Sequence, residues 1–162
     1  MREAVSQWNG ASLGSTMSYY YTPKEASGAD IHYFGGTREE ILDVYCFSNS
    51  DFDTAQNTHG SVAGHTQCSR YEMDSWTYSG NGSVKTGYVI DYVRGFVLDY
   101  ERELTTASRN KYYKTCTHEL GHVLGWFGHS SIVSDVMYTY VNTYTTLSST
   151  ERTHLKQVYD LA

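Results

Sequence analysis

The fifteen residues "THELGHVLGWFGHSS", Thr117 to Ser131, hold three histidines, one glutamate and three glycines. His118 and His122 are four apart, so on a helix of 3.6 residues per turn they stand about 40° apart around the axis and one turn along it. Both imidazoles can then reach one ion, and zinc takes imidazole nitrogen at about 2.0–2.1 Å. Glu119 follows the first histidine on the edge of the same face, where it can hold a water as general base without ligating the metal. Gly121 and Gly125 cost roughly 1 kcal/mol each relative to Ala inside a helix, so a structural demand outweighs propensity there. HExxH alone could be two solvated surface histidines. His129 and the downstream "SDVMY" weigh against that reading and toward a catalytic zinc site.

The helix carrying this clamp runs from about Ser108, with Tyr113, Cys116, Leu120, Val123 and Leu124 on one stripe, and Gly125 stops it in the left-handed manner. Upstream, "REAVSQWN" spaces Ala4, Val5 and Trp8 as a short helix that ends at Asn9-Gly10. "STMSYYYT" and "ADIHYF" read as strands, as do "SVAGHTQC" and "YVRGFVLDYE", with a turn-rich segment around "SGNGS" between the last two. "EEILDVYCF" fits a helix or a strand equally. Downstream, Ser148 and Glu151 form a capping box that opens a last helix with Leu155, Val158 and Tyr159 on its buried face. Strands first, then a central helix, an irregular stretch and a closing helix make an α+β layout.

The 162 residues fit one domain able to bury its own core. A net charge of −6 without any Lys/Arg run disfavours nucleic acid as a partner. No window approaches the roughly 18 apolar residues of a membrane span, and the N-terminus lacks the apolar core of a signal peptide. Sixteen Tyr, abundant Ser and Thr, and five Lys hint at an exported, extracellular protein whose leader is not in this chain. Cys46, Cys68 and Cys116 include no CxxC pair, which excludes a cysteine-rich zinc module. They allow one disulfide, with Cys46 and Cys68 nearest in sequence, or three buried thiols.

"HELGHVLGWFGHS", then "DVMY" and "LSSTERTHLKQVY", resembles the matrixin-type branch of the metzincin zinc proteases, close to small secreted bacterial members. Their pattern is HExxHxxGxxH with a Met-turn. His118, Glu119, His122 and Gly125 match it, and Met137 matches the Met-turn, an apolar floor beneath the metal. Upstream, "AVSQWN" looks like the helix after the family's first strand, "ADIHYF" like its third strand and "SVAGHTQ" like its edge strand, which leaves the first strand absent. The resemblance implies a twisted, mostly parallel sheet with an antiparallel edge strand. It also implies an N-terminal lobe of about residues 1–125 and a small C-terminal lobe of about 126–162.

One departure bears on the ligand set. The family has two residues between the glycine and the third histidine; here Trp126, Phe127 and Gly128 intervene. Four Cα steps reach up to about 14 Å, so His129 remains within reach, with Gly128 free to absorb the extra residue in a turn. His118, His122 and His129 are therefore the expected ligands of one Zn2+. Glu151, already explained by its capping box, and Asp135, a turn-capping residue, are the rivals. Trp126 and Phe127 are expected to pack beneath the loop.

The resemblance also implies substrate binding as an added strand along Ala63, Gly64, His65 and Thr66. Lys114, one turn before His118, would border the pocket for the residue after the scissile bond and favour acidic or polar groups there. Tyr138 and Tyr140 could line the pocket or donate to an oxyanion, though packing explains them as well. His32, His59 and His154 look structural or exposed. Asn49, Asp51 and Asp53 could hold calcium but lack the glycine and terminal glutamate of an EF-hand loop. The expected function is zinc-dependent hydrolysis of peptide bonds in a protein or peptide substrate by a monomer. A binding or adhesion module that keeps the fold without activity is the alternative, and retention of Glu119 argues against it.

Overall fold

The computed structural model describes residues 2–14, 16–18, 31–43, 50, 63–77, 84–98 and 105–159. Helix α1 (Arg2–Asn9) is followed by strand β1 (Ile31–Gly36), helix α2 (Arg38–Asp43), strands β2 (Gly64–Thr77) and β3 (Val84–Leu98), the long helix α3 (Thr106–Val123) and helix α4 (Ser149–Val158). These make the α+β arrangement the sequence implies.

The described sheet is mixed, in the order β1-β3-β2. β1 runs parallel to β3, with Ile31 opposite Val93 and Gly36 opposite Leu98. β2 runs antiparallel to β3 at the sheet edge, with Gly64 opposite Val97 and Cys68 opposite Val93. Among the described residues the antiparallel edge strand expected at "SVAGHTQ" is β2, and the pairing of β1 with β3 is the parallel one. Of the strand expected at "STMSYYYT", Thr16 to Ser18 is irregular and the rest lies outside the described residues. The other two strands are longer than expected: past Ser69 they continue as a two-stranded ribbon to Thr77 and Val84, with irregular register between Ser69 and Arg70 and between Glu72 and Ser75. Valine-, tyrosine- and threonine-rich stretches suit that ribbon, but their interleaved polar residues hid it from the hydrophobic pattern.

Alternation along β3 explains its nearly continuous apolar run. Val93 and Val97 join the main core with Trp8, Cys116, Leu120, Met137 and Leu155, whereas Phe96 and Leu98 turn to the opposite face and pack with Ile41 of α2. A sheet covered on both faces needs apolar residues at successive positions. The ambiguous "EEILDVYCF" opens as helix because Thr37 and Glu40 cap it reciprocally, Thr37 N–H donating to Glu40 Oε2 at 2.8 Å and Glu40 N–H to Thr37 Oγ1 at 3.3 Å.

Helix α3 is the central element. It starts two residues earlier than the pattern implied, capped by Thr105, whose hydroxyl accepts Ser108 N–H at 3.1 Å. From Lys114 to Gly121 it is buried on every side, not along one stripe. The cause is its position between the sheet, the segment around Met137, and α1, whose Trp8 indole donates to Thr117 O at 2.7 Å.

The closing helix carries the expected capping box at Ser148 and Glu151. Leu155 is fully buried, but Tyr159 is 39% exposed because it stands at the C-cap, where its hydroxyl donates to Leu124 O at 3.0 Å. The Val158 side chain, Cys46, His59 and the calcium-like Asn49, Asp51 and Asp53 lie outside the described residues. Cys116 is a fully buried thiol, and Cys68 is half-buried with Sγ 3.9 Å from His122 O.

Candidate metal centre

Three histidines converge at the end of α3. One ligand atom from each of His118, His122 and His129 lies within 4.8 Å of the others. The helix supplies the first two, as its 3.6-residue repeat dictates, and their Nε2 atoms are 3.2 Å apart. The third arrives through the turn that follows. Gly125 ends α3 at φ 94°, with Gly125 N–H bonded to His122 O and Trp126 N–H to Gly121 O, both at 3.0 Å, the two bonds of a Schellman motif. Gly128 takes φ 112°, so the extra residue in "GWFGH" is taken up by a second left-handed position that a side chain would resist.

Ser130 N–H then bonds Met137 O at 2.8 Å, which fastens the chain just after His129 to the Met137 segment. The two aromatic rings expected beneath the loop take different environments. Trp126 is buried against His154, whereas Phe127 is 54% exposed and borders the cleft.

The hydrogen bonds around the triad fix its chemistry. His118 Nδ1 is 2.8 Å from Val136 O, and His122 Nδ1 is 2.7 Å from Trp126 O. A carbonyl oxygen only accepts, so each Nδ1 carries the ring proton and each Nε2 keeps a lone pair. With both rings neutral, the two lone pairs face each other at 3.2 Å, and a proton or a metal ion between them removes their repulsion. Tetrahedral zinc with bonds of about 2.0–2.1 Å separates its nitrogens by about 3.3 Å, which the His118–His122 pair matches at 3.2 Å, with the third imidazole's ligand atom within 4.8 Å. Burial, with the nearby Lys114 charge, holds the His118 pKa well below its usual value, which keeps the imidazole neutral as a ligand must be.

Glu119 lies beside this pair, buried beneath the edge strand. Burial pushes its pKa up to about 7, against the lowering effects of the Thr66 hydroxyl, Lys114 and Tyr33. Thr66 Oγ1 donates to Glu119 Oε2 at 2.7 Å. A carboxylate whose pKa lies near neutrality can both take and return a proton at neutral pH.

Gly121 is explained by what lies under the helix. A Cβ there would overlap Met137 Sδ and stand 2.9 Å from both Met137 Cε and Trp8 Cζ2. The wholly buried Met137 thus packs directly beneath the helix turn bearing the first two histidines.

The rivals are used elsewhere. Glu151 Oε1 accepts Met137 N–H at 2.7 Å and its Oε2 accepts Ser148 N–H at 2.8 Å. Asp135 Oδ2 accepts the Ser130 hydroxyl at 2.6 Å. The Glu151 bond to Met137 was hidden in the sequence, because the capping box already accounted for the residue.

Ala63, Gly64, His65, Thr66, Lys114 and Tyr140 border the cleft in front of the triad. Tyr138 does not. It packs against Tyr140 with ring centroids 5.8 Å apart, and its backbone oxygen accepts Lys114 Nζ at 2.9 Å. Lys114 is only 2% exposed and stands 3.3 Å from His118 Nδ1, so it braces α3 against the chain after Met137 as well as edging the cleft. Burial draws its pKa down to about 8. His32 lies in β1 against Tyr92, and His154 is exposed on α4.

A family model described as matrixin matches residues 1–160. No curated protein and no solved structure matches the chain.

Proposed function

The chain belongs to the matrixin family, and from that membership we propose that it is a zinc endopeptidase in which His118, His122 and His129 hold the metal and Glu119 is the general base. The observation that carries this reading is the pair of Nε2 lone pairs facing each other at 3.2 Å beside a third imidazole. Backbone carbonyls of Val136 and Trp126 hold the two Nδ1 protons and so turn both Nε2 lone pairs inward, the orientation that a pair of metal-ligating imidazoles requires.

Bound zinc supplies Lewis acidity that acidifies water and polarises a peptide carbonyl. Glu119, next to the first ligand, takes the water proton on its carboxylate while the water oxygen adds to the carbonyl carbon. It then returns that proton to the amine nitrogen as the C–N bond breaks. The edge strand from Ala63 to Thr66 offers an extended peptide a backbone partner along the cleft, and Tyr140 and Phe127 border it with exposed aromatic surface. No helix among the described residues is long and apolar enough to cross a membrane. The tyrosine- and serine-rich, lysine-poor composition accords with action outside the cell.

The test is cleavage of a peptide library by the zinc-loaded protein, compared with Glu119→Ala. Endoproteolytic cuts by the parent and their loss in the variant are expected. Equal inertness of two proteins that both bind zinc would replace this reading with that of a binding module.

A further inference from the structure

We propose that a line of hydroxyl groups crossing the sheet, Tyr33 to Thr66, positions the Glu119 carboxylate, and that Gly95 and Gly64 exist to make room for it. The proposal rests on the reading of Glu119 as general base. It starts from strand register: Tyr33 of β1 and Thr66 of β2 both stand opposite Gly95 of β3, so the three residues form one row across the sheet.

Tyr33 could not reach across β3 over a side chain. A Cβ on Gly95 would overlap the Tyr33 ring and come within 2.8 Å of His65 O. With only hydrogen there, the ring lies over Gly95 and brings its hydroxyl 3.2 Å from Thr66 Oγ1.

Donor directions follow from the chemistry of the acceptors. Ionised Glu119 only accepts, so the single Thr66 hydroxyl proton goes to Oε2 at 2.7 Å. The Tyr33 hydroxyl then donates either to Thr66 Oγ1 or to the carboxylate itself, whose pKa it lowers as a hydrogen-bond partner; both bonds support the ionised form, and hydrogen bonds in such a row polarise one another.

Gly64 completes the arrangement one pleat away. A Cβ there would lie 2.8 Å from Glu119 Cγ, 2.9 Å from Thr115 Cγ2 and 3.0 Å from Glu119 Oε1. The strand therefore lies flat on α3, with Oε2 tied to Thr66 and space kept beside Oε1, the oxygen that takes the proton. A glutamate has three side-chain torsions, and each one fixed in advance removes an entropy cost from the reacting geometry. Thr66 borders the cleft and offers its backbone there, but its hydroxyl is turned to Glu119, and Tyr33 is not among the residues that border the cleft, so both side chains act through Glu119 as positioning groups.

The experiment compares Thr66→Val, Thr66→Ser, Tyr33→Phe and Glu119→Gln in the zinc-loaded protein. Thr66→Val keeps the shape and removes the donor. We expect kcat to fall roughly tenfold to a hundredfold with KM and zinc content unchanged. Thr66→Ser should recover most of that loss, and Tyr33→Phe should lower kcat by a smaller factor. Thermal unfolding supplies a readout independent of turnover, in which Thr66→Val and Glu119→Gln should be non-additive in a double-mutant cycle.

An unchanged kcat in Thr66→Val beside an inactive Glu119→Gln would overturn the positioning role, as would a serine variant no better than valine. Full activity in Glu119→Gln would instead overturn the general-base reading. If the parent cleaves no peptide, additivity in the unfolding cycle alone discards the relay.

Discussion

Glu151 joins the C-terminal helix to the floor of the histidine site: its Oε1 accepts Met137 N–H at 2.7 Å while Oε2 caps its own helix through Ser148 N–H at 2.8 Å. The side chain is wholly buried. Its carboxylate therefore reaches the site through the backbone beneath it.

Replacing it separates structure from ligation. Glu151→Ala leaves a buried N–H at Met137 unpartnered and removes the side-chain half of the capping box while the Ser148 hydroxyl keeps its bond to the backbone N–H of residue 151, and should cost roughly 2–4 kcal/mol of stability. Zinc stoichiometry at a temperature where the variant stays folded should match the parent. Chemical denaturation with metal analysis checks both, and loss of zinc from a folded variant would make Glu151 a ligand after all.

His129→Ala should do the reverse. Removing one of three imidazoles should cost far more zinc affinity than the roughly 10–100-fold typical of an outer hydrogen-bond partner. The exposed position of His129 makes the loss of fold small. Competition with a chromophoric chelator reads the affinity, and a parent-like value would remove His129 from the ligand set.

At Gly121, helix propensity and packing point in opposite directions. Alanine is preferred over glycine inside a helix by roughly 1 kcal/mol, but here its methyl would meet Met137 and Trp8. Overpacking of this kind costs roughly 1–3 kcal/mol, so Gly121→Ala should be destabilising and should weaken zinc binding. A more stable variant would mean that Met137 moves aside without cost.

The buried Glu119 gives the metal-free protein a pH signature. Its folded pKa of about 7 stands above the unsuppressed 4.5, so the unfolded chain loses this proton first and stability falls as pH rises through that window. Glu119→Gln removes the effect, and its stability relative to the parent should grow by roughly 2–3 kcal/mol between pH 4.5 and 7. The depressed His118 pKa acts below its usual value, where stability falls with falling pH in both proteins. Urea unfolding of both proteins across this range tests it, and a constant difference would contradict the burial of Glu119.

Lys114 offers a test of selectivity. Its charge edges the cleft while Nζ is held by Tyr138 O. Lys114→Met should weaken any preference for acidic residues immediately after the cleaved bond. Identical cleavage profiles would leave Lys114 as a brace only.

The sequence alone carried whatever depends on one helix or one turn. The four-residue spacing of His118 and His122, the stop at Gly125, and the Ser148–Glu151 cap are set by backbone geometry within a few residues, and each appears in the structure. The Thr37–Glu40 cap is equally local and could have decided the ambiguous segment. Tertiary structure decided what local periodicity cannot encode. Trp126 faces inward and Phe127 outward because only one side of that turn meets α4. Lys114 is buried because the chain after Met137 folds back over α3. Tyr33, Gly95 and Thr66 meet Glu119 only because strand pairing sets three distant segments in one register. Such contacts depend on which strands pair and which faces lose water, and those choices are made by the whole chain at once.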